Sequence, residues 1–157
     1  MSCGGSDGVD TQALEEYYAR VEAIEAEQQQ RVDEAQEVIA AVSANSGSFE
    51  EQRQATEDFL RFAATDIEAL LQGFRDIDPP DEVEEPHNRT IEFFEVVMTS
   101  TESVIPEVEQ ASSLDGLTEI LAEYVASIEP LEEPCRELEQ IAADHDIEAD
   151  LDCDVDG

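Results

Sequence analysis

The chain predicts an all-α fold, an antiparallel up-down-up-down four-helix bundle with a sharp corner at its middle. Two long stretches carry apolar residues in steps of three and four, the spacing of one helix face. Between them stands Asp78-Pro79-Pro80-Asp81. Its two prolines remove two backbone donors and push the preceding residue out of the α region, so no helix runs through it. At 157 residues and 41% apolar content, the chain is long enough to bury a core without metals or staples. The expected organisation is a flexible tether over 1–10, the bundle over 11–143, and an acidic tail over 144–157 that is pinned back onto it.

The first helix is expected from Thr11 to Ser43, on the stripe Leu14, Tyr17/Tyr18, Val21, Ile24, Val32, Ala35, Ile39, Val42. Glu25 and Gln28 fall where that stripe wants apolar groups. The reading favoured here is a slight rotation that lets Ile24 serve, over a buried polar layer. Asn45-Ser46-Gly47 ends the helix, glycine tolerating positive φ. Ser48-Phe49-Glu50-Glu51 is a capping box. The second helix follows it to about Phe74, on Thr56, Leu60, Ala63, Ile67, Leu70 and Phe74.

The third helix is expected to begin at Pro80 or Pro86, because proline suits a first turn. Its stripe is His87, Ile91, Phe94, Met98, Thr101, Ile105, Val108, with a kink at Pro106. Ser112-Ser113 should cap the fourth. There Leu114, Leu117, Leu121, Tyr124, Ile128, Leu131, Cys135, Leu138 and Ala142 keep phase past Pro130 and Pro134, predicting one bent helix. Such sustained spacing implies near-parallel packing of the helices.

Forty-two acidic residues face seven basic ones, all arginine, for a net charge of −35. Repulsion on this scale opposes compaction unless salt or bound cations screen it. Adaptation to a salty medium is the favoured reading, ahead of a cation-binding surface. Disorder is a third reading, and the apolar content and its periodicity argue against it. Nucleic acid and anionic lipid are repelled, so neither is an expected partner. No apolar run approaches the ~18 residues of a membrane span.

Cys3-Gly4-Gly5-Ser6 resembles the mature start of prokaryotic surface lipoproteins. The resemblance implies that Cys3 is acylated after removal of a leader, and that the Gly/Ser run is its tether. It implies an extracytoplasmic, lipid-anchored protein that touches the membrane through Cys3 alone. With Cys3 set aside, Cys135 and Cys153 are the pair an exported protein would join, clamping the tail. Two free thiols in a reducing compartment are the competing reading.

Three further patterns bear on chemistry. Glu84-Glu85-Pro86-His87 has the E-x-x-H spacing of di-metal carboxylate bundles. Those need two such motifs, and only one is present. The expected role of His87 is therefore a core-capping side chain bonded to a carboxylate or backbone group, with Glu84/His87 as a weak metal pair. Asp152, Asp154 and Asp156 open a calcium loop whose later ligands are missing. With Asp150 they make a weak divalent site, against the favoured reading of a solvated tail. No nucleophile, phosphate loop or acid-base pair stands out. The expectation is a non-enzymatic binding or structural module without cofactor, acting on a protein or small molecule at the cell surface. Its rivals are a cation-binding protein and a metal-dependent enzyme.

Overall fold

A computed structural model describes residues 10–43, 47–128, 133–149 and 151. Six helices and no strand occur among them: α1 (Thr11–Glu34), α2 (Gln36–Ser43), α3 (Phe49–Arg75), α4 (Glu84–Gln110), α5 (Leu114–Ile128) and α6 (Glu133–Asp144). They form a helical bundle in which α1 and α2 make up the first rod, α3 and α4 the second and third, and α5 and α6 belong to the last. Cross-contacts give the directions. Gln28 and Arg31 meet Asp66, while Ile24 lies against Gly73, so α1 and α3 are antiparallel. Arg61–Glu109 and Arg75–Glu95 make α3 and α4 antiparallel. Thr101–Tyr124 and Arg89–Glu137 do the same for α4 against α5 and α6.

Local chemistry sets the helix ends. Asp10 accepts the Ala13 amide and caps α1. Ser48 and Glu51 close the expected capping box on α3, with Glu51 returning to the Ser48 amide at 2.7 Å. Those bonds hold the Glu51 carboxyl below its usual range. Gly47 sits just before, at φ +118, and a Cβ there would strike Glu51. Ser113 Oγ accepts the Gly116 amide and starts α5. α6 ends in a Schellman turn: Asp146 takes φ 56, its amide reaches Ala143, and the Ile147 amide reaches Ala142.

Four sequence expectations need correction. The first rod is two helices, parted at Ala35 (φ −90, ψ 8). Ile39 still bonds back to Ala35, so the chain turns there without losing its backbone ladder. Gln28 belongs to a polar layer instead of being rotated away. Its Nε2 and the Arg31 Nε both donate to Asp66, which is 6% exposed. Leu114 is 45% exposed and not in the core. The expected single bent helix of the last rod is not among these corrections: its junction at residues 129–132, including Pro130, lies outside the described residues, with α5 before it and α6 after it. α4 starts at Glu84, between the two anticipated prolines, and continues through Pro106.

The core has two lobes of unequal depth. The corner lobe gathers Leu14, Tyr17, Tyr18 and Val21 with Phe74, Ile77, Val83, Leu138, Ala142 and Leu151. Ile77 and Val83 flank the Pro-Pro segment and anchor it from both sides. In the opposite lobe the buried apolar side chains, among the described residues, are Leu60, Val104, Val108 and Leu117. Removing a buried leucine such as Leu60 costs roughly 3 kcal/mol in a packed core.

The scarce bases sit on the seams. Arg31, Arg61, Arg75 and Arg89 each join one rod to another. Seven arginines cannot offset 42 acids, so net repulsion remains and exposed pairs contribute little against it. The melting temperature is therefore expected to rise from low to molar sodium chloride, as measured by circular dichroism. A flat profile would contradict net repulsion as the dominant electrostatic effect.

Candidate functional site

Three places concentrate polar or exposed apolar groups: the corner around His87, an acidic cleft beside the tail, and the outer face of α5. At the corner, Pro86 and His87 lie in the first turn of α4 and point inward. His87 is 1% exposed. Its Nδ1 is 3.1 Å from the Tyr17 hydroxyl, and the Phe74 carbonyl bonds the ring. In the tautomer that satisfies both, the ring N–H donates to Phe74 and Nδ1 accepts from Tyr17. The Tyr17 ring meets His87 edge-on and Phe74 lies tilted against it. Tyr18 donates to the Leu138 carbonyl at 2.7 Å. Three hydrogen bonds thus tie α1, α3, α4 and α6 at one level.

This arrangement keeps His87 neutral. Desolvation lowers its pKa, only partly opposed by the Phe74 carbonyl. Burial likewise raises both tyrosines, Tyr18 to about 12. The structure does not bring Glu84 and His87 together: Glu84 is exposed on the first turn. Nδ1 of the buried His87 ring is taken up by the Tyr17 hydroxyl. The expected core-capping histidine is what stands there, bonded to a tyrosine hydroxyl and a backbone carbonyl.

The acidic cleft lies between α1 and the turn after α6. Glu15, Tyr18, Ala19 and Glu22 line one side; Asp146, Ile147 and Glu148 line the other. It is open to solvent. Among the described residues, no group of three or more His, Cys, Asp or Glu is placed to hold a metal ion. Beyond it Ile147 and Ala149 pack on the corner lobe and Leu151 is buried there. Cys135 lies half-buried on α6, its Sγ 3.5 Å from the Leu151 carbonyl oxygen. Cys3, Asp150, Asp152, Cys153, Asp154 and Asp156 lie outside the described residues.

α5 is the feature that sequence reasoning misplaced. It is rich in apolar residues, yet Leu117 is its one buried residue among those described. α5 rests on α4, where Tyr124 exchanges a 2.8 Å hydrogen bond with Thr101. Thr118, Leu121, Ala122, Val125 and Ala126 line a shallow, open trough on its other side. Leu114 is 45% and Val125 52% exposed.

No protein-family model matches the chain, and no curated protein or solved structure is detectably similar to it. No helix among the described residues is long and apolar enough to cross a membrane.

The lowered His87 pKa sets a pH dependence. Because the unfolded chain takes up the proton first, stability is full above the ordinary histidine value of about 6.5 and falls as pH drops through it. Between pH 7.5 and 5, wild type should lose stability relative to His87→Gln, at up to about 1.4 kcal/mol per pH unit. Urea titrations at stepped pH measure it. Parallel curves for the two proteins would refute the assignment of a neutral buried imidazole.

Proposed function

We propose that the chain is an extracytoplasmic, lipid-tethered helical module that acts by binding a partner and catalyses no reaction. The observation that carries this reading is the outer face of α5, which presents apolar side chains that no other helix among the described residues covers. Patches of this kind on a folded domain mark interaction surfaces. The rest of the molecule suits the role of a rigid presenter: its polar core groups at the corner are satisfied by one another.

In this reading Cys3 carries the anchor and residues 1–10 form the tether. Cys135 and Cys153 form a disulfide that clamps the tail. Support for the clamp comes from Leu151, which is 3% exposed and brings the chain to the Cys135 sulfur two residues before Cys153. Closing that loop would contribute about 3 kcal/mol in the chain-entropy model. A domain carrying a −35 charge gains from any device that holds an acidic tail in place.

Two measurements test the reading. Intact-mass analysis of protein taken from its native membranes should show acyl mass on Cys3 and two fewer hydrogens at Cys135 and Cys153. Unmodified Cys3 with two alkylatable thiols would defeat both assignments. A photo-crosslinking residue at position 125, introduced in living cells, should give one discrete adduct that is lost on adding Leu114→Glu. Absence of any adduct at 125 would defeat the binding assignment.

A further inference from the structure

We propose that the open face of α5 docks a basic amphipathic helix from a partner protein, an inference that rests on the binding role just assigned to that face. Leu114, Leu121 and Val125 follow one another at helical spacing and span about 16 Å, three turns. The surface is a straight ridge with a shallow trough, the shape that receives the i, i+4, i+7 side chains of another helix. Nothing encloses it as a pocket for a compact ligand would require.

Charge names the partner. Asp115, Glu119 and Glu123 recur every four residues and form an exposed carboxylate row along one edge of the apolar strip. α5 contains no lysine or arginine at all. A helix seated on the strip therefore places one flank beside three carboxylates, and lysine or arginine on that flank is the complementary choice. A second copy of this chain is opposed, because each brings a net charge of −35 and the same acidic row. An anionic bilayer is opposed for the same reason; helices that lie on such surfaces carry basic residues on their polar face.

The test uses the full chain and synthetic peptides of about five turns, with calorimetry at physiological salt. The probe has leucine at i, i+4, i+7 and i+11 and lysine on its flanks. One control replaces the lysines by glutamate, the other replaces the leucines by serine. The leucine-lysine peptide should bind, and both controls should bind at least roughly tenfold more weakly. Val125→Glu should weaken the probe by a similar factor. Glu119→Lys should weaken it less, and should flatten its dependence on salt. Both positions are exposed, and unchanged helix content and melting temperature confirm that each variant folds.

Any of the following results would overturn the proposal. The serine control binding as well as the probe would reduce the effect to net charge. Tighter binding of the glutamate control would reverse the partner's sign. Flotation with phosphatidylglycerol vesicles that Val125→Glu abolishes would make the face a lipid surface. A dimer in sedimentation equilibrium that Val125→Glu dissolves would make it a self-interface. If position 125 crosslinks in cells while the lysine peptide fails to bind, the partner chemistry is wrong and the binding role stands. If neither occurs, both fail.

Discussion

The bundle hangs on the buried pair of Tyr17 and His87. An imidazole nine residues past the corner's first aspartate has to enter the core, because Pro79 and Pro80 deliver α4 at that point with Pro86 and His87 facing inward. Burial of two polar side chains is costly unless each finds a partner. Here each does, and the partners come from different rods: Tyr17 from the first, Phe74 from the second, His87 from the third. Tyr18 adds the fourth through Leu138. A set of bonds satisfied in only one register selects that register, which apolar packing alone does weakly. The corner lobe is deep and aromatic as a result.

Electrostatics acts in the opposite sense everywhere else. With 42 acids and seven arginines, every rod carries negative charge toward its neighbours. Four of the arginines sit where two rods meet, so the few favourable charge contacts fall where repulsion between rods is greatest. Arg31 is the most instructive. It meets a nearly buried carboxylate, Asp66, and leaves Nη2 buried with no hydrogen-bond partner among the described residues. A buried ion pair of that kind gives little net stability. Its place, one turn before the break at Ala35, makes it a register mark between α1 and α3 and accounts for Gln28 in the seam.

Elements with local chemistry were legible from residue types alone. The box at Ser48 and Glu51, the serine cap of α5 and the corner all depend on neighbours within four residues, and all stand where they were read. What was not legible depends on partners far along the chain. The break at Ala35 falls where the stripe has resumed, through Val32, Ala35, Ile39 and Val42, so spacing gave no warning at that place. Asp66 reads as a solvent-facing acid until Arg31 and Gln28 arrive from the first rod. The Schellman turn at Asp146 lacks the glycine that would have announced it. Leu114 and Val125 satisfy the helical pattern perfectly well; periodicity reports which face is apolar and says nothing of how much of it a neighbour covers.

That last distinction links fold to function. A four-rod bundle buries each apolar arc between two neighbours, and at the corner end it does so. At the far end α2 packs on α3 and α5 packs on α4, and the apolar arc of α5 is left half covered. Self-repulsion raises the cost of drawing the last two half-rods together, whereas a basic partner lowers it by bringing compensating charge with its apolar face. In the proposed binding role, the same acidity that weakens closure of the bundle would make its open side selective. Interhelical hydrogen bonds between side chains and backbone tie one end together, and the thinly packed end is where the proposed partner helix would find room.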